Sequence, residues 1–125
     1  MIIRNPIAAG SFYPRNSSDL RSKIEKFMKE SKDIPKMDVR GIVSPHAGYE
    51  YCGDVQSKVF SSIKKNATFV IIGPNHTGIG APASIMTDGI WKTPLGMCRI
   101  NREDGENILE NSKFLEGDLH AHTQE

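Results

Sequence analysis

Long apolar runs, cysteine and net charge are all scarce in this sequence, and each scarcity excludes something. The strongest apolar run, Phe69–Ile72, is far shorter than the roughly 20 residues a membrane-spanning helix needs. Residues 1–4 carry neither the apolar core nor the small-residue cleavage site of a secretory signal, so a cytoplasmic protein is expected. The only cysteines, Cys52 and Cys98, are too far apart for a C-x-x-C pair. Without a leader both are expected to be reduced, Cys98 as a small packing residue in a strand. Formal net charge is +1 over 125 residues, which leaves no long-range attraction for nucleic acid. Lysines do recur at Lys23, Lys26, Lys29, Lys32 and Lys36, but Glu25, Glu30 and Asp33 interrupt them, the pattern of a solvated helix face.

What is present is ordinary globular composition, 38% apolar and 25% charged, enough for one domain. The first fifteen residues, broken by Pro6, Gly10 and Pro14, read as irregular. Asn16-Ser17-Ser18-Asp19 offers capping side chains ahead of Leu20, Ile24, Phe27 and Met28, one apolar stripe of a helix that ends before Pro35. Strands are predicted over Val39–Val43 and Phe69–Ile72, the second apolar on both faces as a central parallel strand is. Between them Asp54 opens a predicted helix with Val55, Val59, Phe60 and Ile63 on one face, closed by Lys64-Lys65-Asn66. Strand, helix and strand make a right-handed βαβ unit. Ala83–Met86 and Met97–Ile100 read as short strands, and Trp91–Gly96 as a turn-rich connector. Asn101 or Asp104 caps a last helix carrying Ile108 and Leu109, weakened by Gly105. The expected fold class is α/β, with βαβ units in a mainly parallel or mixed sheet flanked by helices.

Two histidines stand in matched settings, Ser44-Pro45-His46-Ala47-Gly48-Tyr49 and Gly73-Pro74-Asn75-His76-Thr77-Gly78, each just past a predicted strand. The carboxyl ends of parallel strands are where open α/β sheets hold ligands. Neutral imidazole is a good metal ligand, and nearby glycines let the backbone turn tightly. Two ligands do not complete a site. A third is needed for catalytic zinc or for a two-histidine, one-carboxylate iron centre. Glu50, Cys52, Asp54, His120, His122 and Glu125 are candidates, and spacing alone does not choose among them. The bland alternative is that each histidine simply hydrogen-bonds in its loop. Gly78–Ala83 matches G-x-G-x-x-A by letter, but no apolar helix follows it, which argues against dinucleotide binding. A Cys52–histidine pair is a weak candidate nucleophile and base, since nothing activates the thiol. Phe12, Tyr49, Tyr51 and Trp91 are candidates to line a pocket for an aromatic ligand. Phe12 and Tyr49, with Asn75 beside His76, are the expected substrate contacts.

Gly10-Ser11-Phe12-Tyr13-Pro14, the block Ser44–Gly53, Gly73-Pro74-Asn75-His76 and Thr93-Pro94-Leu95-Gly96 occur in the order and spacing of the Memo family, which this sequence resembles over essentially its whole length. That family is similar in fold to class III extradiol dioxygenases, with a non-haem iron site. The resemblance implies that His46 and His76 are metal-ligand positions, with iron as the expected cofactor and copper or zinc as alternatives. Family members have been linked to iron or copper binding, redox control and, in animals, binding of phosphotyrosine-bearing receptor segments. The family's third ligand, a cysteine, lies beyond Glu125, and Cys52 does not match it. The closing Ala121-His122-Thr123-Gln124-Glu125 looks like the start of a further family motif, so His122 is a candidate proton relay.

Memo proteins are about twice this length, so residues 1–125 are expected to be the N-terminal part of a single Memo-like domain, a truncated form of the dioxygenase-like fold. Open sheet edges would then favour self-association. The expected function is a metal-dependent oxidoreductase of the extradiol type, inactive as this fragment. The alternative is a binding module that takes a peptide or a small anionic or aromatic ligand in the same cleft. Neither nucleic acid nor a membrane is an expected partner.

Overall fold

The computed structural model describes residues 2–64 and 67–124. Among them the order is β1 (Ile3–Arg4), α1 (Ser17–Glu30), α2 (Tyr49–Ser62), β2 (Ser84–Ile85), β3 (Ile90–Thr93), β4 (Gly96–Arg99), α3 (Arg102–Glu110), β5 (Glu116–Gly117) and one 3-10 turn, His120–His122. The class is mixed α/β, with parallel and antiparallel pairings. No helix among the described residues is long and apolar enough to cross a membrane. The chain divides into two compact units, Ala8–Ala67 and Met1–Ile7 with Thr68–Glu125.

The Ala8–Ala67 unit is helical. α1 starts where its capping residues predict: Asn16 Oδ1 accepts from the N–H of Ser18 at 2.8 Å and of Asp19 at 3.3 Å, a cap worth about 1 kcal/mol. Leu20 is buried, while Lys26 and Lys29 are exposed on α1, as is Lys32 in the turn just past its end. Lys23 pairs with Glu50 of α2. Lys36 Nζ donates to the carbonyls of Ser61 at 2.6 Å and Ile63 at 3.2 Å, at the helix end where a cation is favoured. Small side chains let α1 and α2 approach. Ser31 and Ser57 hydroxyls meet at 2.8 Å in the interior, and a Cβ on Gly53 would run into the Phe27 ring.

α2 begins at Tyr49, with Gly48 as its N-cap, rather than at the predicted Asp54. Gly53 reads as a poor interior helix residue, yet packing against α1 requires it and outweighs its propensity cost. Of the predicted closing residues, Lys65 and Asn66 lie outside the described residues; Ile63 is the C-cap.

The other unit carries the sheets. β3 lies between β1 and β4, with Ile3 opposite Ile90 in parallel and Ile90 opposite Arg99 in antiparallel register. Pro94-Leu95 closes the β3–β4 hairpin between Thr93 and Gly96. Within Ala83–Met86, read as a short strand, Ser84–Ile85 forms β2 and pairs in parallel with β5. Trp91 therefore sits in a strand and not in a connector, and Arg4 stacks over its ring at 4.5 Å, a cation–π contact. Two-residue β1 left no periodic signal. α3 is capped by Asn101, whose side chain accepts from Asp104 N–H at 3.3 Å. Gly105 is buried against Thr87, where a Cβ would lie 3.1 Å from the Thr87 Cα.

The two predicted parallel strands do not form. Neither Val39–Val43 nor Phe69–Ile72 belongs to a strand, so the predicted βαβ unit and its crossover are missing among the described residues. Composition gives a segment its capacity for a strand, but a ladder needs a neighbour. Both segments remain exposed, Val43 and Ile72 at 92% each. Cys98, expected to be packed, is exposed on β4, and both cysteines are free thiols. Among the described residues the buried apolar ones are Ala9, Leu20 and Cys52 in the helical unit and Met86 and Ala121 in the other.

Candidate functional site

His46 lies in the segment that runs into the N-terminus of α2, and helix side chains hold that segment. Gln56 Nε2 donates to the Pro45 carbonyl at 2.8 Å, and the Cys52 thiol donates to the Ala47 carbonyl at 3.1 Å. Cys52 and Gln56 are one turn apart on α2, so both face the segment. Gly48 is buried, and a Cβ there would sit 3.2 Å from the Phe12 carbonyl oxygen. Its absence lets Tyr49 N–H donate to that oxygen at 2.8 Å. The Tyr13 and Tyr49 rings lie 5.6 Å apart with planes tilted by 42°. The Gly10–Pro14 block and the Pro45–Tyr49 block, distant in sequence, thus form one corner. Burial pushes the Tyr49 phenol above its ordinary value of 10.0, with Tyr13 and Cys52 adding to the rise. Tyr49 is therefore a protonated hydroxyl at neutral pH, while His46 and the Phe12 side chain are exposed.

His76 is held by a different device. The Asn75 side chain closes the segment on itself: Oδ1 accepts from Gly78 N–H at 2.8 Å and from the Thr77 hydroxyl at 3.3 Å, and Nδ2 donates to the Ile79 carbonyl at 3.0 Å. Gly78 and Gly80 have φ of +67° and +72°, a conformation that costs other residues steric energy. Beyond them Asp118 acts as a clasp. Its Oδ2 accepts from Ala81 N–H at 2.7 Å, and its Oδ1 accepts from His120 N–H at 2.8 Å and Ala121 N–H at 3.3 Å. These donors, Ala81 foremost, hold the carboxyl below its ordinary value of 3.8. A Cβ on Gly80 would strike Asp118 and Ala121.

His122 is half-buried in the sheet-bearing unit. Its Nε2 lies 3.3 Å from the Ser84 hydroxyl, and its carbonyl accepts from Arg4 Nε at 3.0 Å. It borders a shallow depression lined by Ile2, Ile3, Arg4, Met86, Leu119 and Thr123. The other third-ligand candidates are engaged elsewhere. Glu50 pairs with Lys23, Asp54 approaches Lys58 at 4.0 Å, and the Cys52 thiol donates to backbone from within α2 rather than from the His46 segment. His120 is exposed, and Glu125 lies outside the described residues. Among the described residues no group of three or more His, Cys, Asp or Glu forms that could hold a metal ion. Gly78–Ala83 is followed by β2 and not by a helix, which removes the dinucleotide reading.

Sequence reasoning missed Gln56 and Asp118. With α2 started at Tyr49, the Cys52–Gln56 spacing would have exposed the first. An aspartate accepting from backbone N–H groups two and three residues ahead is a local habit of that side chain, but its bond to distant Ala81 leaves no sequence signal.

A family model described as Memo-like protein matches residues 4–125. The chain belongs to the Memo family. Among curated relatives, a MEMO1 family protein of Desulfurococcus amylolyticus is 43% identical over 98% of this chain and 47% of its own length. One of Pyrobaculum aerophilum is 40% identical over the full chain and 48% of its own length. One of Methanosarcina barkeri is 42% identical over 85% of the chain and 39% of its own length. The chain spans about half the length of the curated Memo relatives it matches.

Proposed function

We propose that this chain contributes His46 and His76 as metal-ligand positions to a cytoplasmic non-haem site related to that of class III extradiol dioxygenases. Iron is the proposed metal, with copper and zinc as alternatives. The observation that carries the reading is the way each histidine is mounted. Gln56 and Cys52 bind the backbone on either side of His46, Asn75 binds the residues just after His76, and both histidines are exposed residues. Fixed backbones presenting imidazoles suit metal binding, because ordering is complete before the metal arrives. Two imidazoles suit iron, copper or zinc, but the described residues do not complete a metal group, so no reaction step is derived through one.

The chain's own residues have definable roles in this reading. Tyr49, protonated at neutral pH, donates a hydrogen bond to an anionic or phenolic ligand, and the exposed Phe12 ring offers it an apolar face. Asn75 shapes the segment beside the substrate. His122, paired with Ser84, relays a proton. The aromatic corner at Phe12, Tyr13 and Tyr49 favours one second reading, a binding module that performs no chemistry.

Anaerobic reconstitution with iron(II), followed by metal analysis, separates the two. Metal retention that falls in His46→Ala and in His76→Ala, with circular dichroism unchanged, supports the metal reading. Retention indifferent to both substitutions contradicts it. Binding of phenyl phosphate by the metal-free protein, lost in Tyr49→Ala, favours the binding module.

A further inference from the structure

The His120–His122 turn is three residues long, too short to fix its own orientation, so its two ends are held from outside. At its start Asp118 Oδ1 accepts from the His120 and Ala121 N–H groups. At its end, where no helix continues to bond the last carbonyls, the His122 carbonyl accepts from Arg4 Nε at 3.0 Å, across 118 residues of sequence. The His122 imidazole lies with Nε2 3.3 Å from the Ser84 hydroxyl on β2. All of these residues belong to the one unit formed by Met1–Ile7 and Thr68–Glu125.

Arg4 reaches that carbonyl from a fixed platform. Arg4 and Trp91 are direct partners in the parallel β1–β3 register, which puts their side chains on one face of the sheet. The guanidinium lies over the Trp91 ring, 4.5 Å from its centroid. The ring is itself held, since its indole N–H donates to Sδ of the buried Met86 at 3.3 Å. A planar guanidinium stacked on an aromatic face keeps its N–H donors aimed in one direction, which an ammonium on a flexible stem does not. We propose that Arg4, seated on Trp91, is a positioning residue for His122: it fixes the end of the turn so that the imidazole Nε2 stays within reach of Ser84. The use of His122 as a proton relay rests on the function proposed above; the dependence of its orientation on Arg4 does not.

The test is NMR of the imidazole nitrogens in the full 125-residue chain, with His122→Gln assigning those of His122. Ser84→Ala removes the hydroxyl and so defines the shift that marks the lost hydrogen bond. Arg4→Ala and Trp91→Leu are expected to move the His122 nitrogens toward that position, and Arg4→Lys, which keeps the charge, should move them too. In the Ser84→Ala background Arg4→Lys should shift them no further, because no bond is left for Arg4 to position. The His46 and His76 resonances should stay in place throughout, which separates lost orientation from lost folding. Nitrogens unmoved in Arg4→Ala overturn the proposal, as does an Arg4→Lys shift of equal size with and without the Ser84 hydroxyl. Unchanged positions in Arg4→Lys overturn it as well, since charge alone then suffices. Should Arg4→Ala fail to fold, the two Arg4→Lys measurements decide. The readout needs neither metal nor substrate, so its failure removes the role of Arg4 alone, whereas metal retention indifferent to His46→Ala and His76→Ala removes the function proposed above.

Discussion

The two histidine segments look alike in sequence, yet they are held by different physics. His46 borrows its rigidity from a helix: an amide and a thiol on one face of α2 bind the Pro45 and Ala47 carbonyls. His76 relies on Asn75 within its own segment, and the chain beyond it is fastened at Ala81 by an ionised carboxylate, Asp118, from near the His120–His122 turn. The first device is neutral and the second depends on charge. Similar motifs can therefore share a role while differing in what disrupts them.

The largest expected effect is at Gly80. Gly80→Val forces a branched side chain into a positive φ and against Asp118 and Ala121, which should destabilise the sheet-bearing unit by about 3 kcal/mol. Urea unfolding should show the loss, whereas His46 resonances in the folded protein should not move.

Asp118→Asn should come next. A carboxylate serving three N–H donors becomes an amide with one acceptor oxygen, so hydrogen exchange at Ala81 and Ala121 should quicken by about tenfold. Acid should act in the same place. The folded pKa of Asp118 lies below its ordinary 3.8, so its contribution is complete above that value and is lost as pH falls through the lower folded value. Lowering pH from about 6 to about 2 should therefore release exchange protection at Ala81 before that of the Ala47–Gly48 segment, and Asp118→Asn should remove this difference. Equal loss at both segments would contradict the contrast.

Asn75→Ala removes three hydrogen bonds at an exposed site and should cost about 1 kcal/mol, with His76 resonances shifting. Gln56→Ala should cost the least, about 0.5 kcal/mol, with the change confined to His46.

Much of this was legible in the sequence where the signal is local. Asn16 and Asn101 cap helices as their positions suggest, and Pro94-Leu95 turns the hairpin. The Memo assignment rested on contiguous blocks, and the family match covers the same residues. What failed was non-local. Gly53 disguised the start of α2 because its reason lies on α1. Phe69–Ile72 has the composition of a buried strand, but pairing is a relation between two segments, and no partner for it occurs among the described residues. Asp118 escaped notice because its principal bond spans a distance that spacing rules do not reach.

The proposed function asks two differently mounted imidazoles to bind one metal ion. Its most direct test is an anaerobic cobalt(II) titration of the 125-residue chain, following the imidazole C–H resonances of His46 and His76 by NMR. Both should respond with a common midpoint, and His46→Ala should abolish the response of His76. Independent midpoints, or a His76 response untouched by His46→Ala, would contradict it.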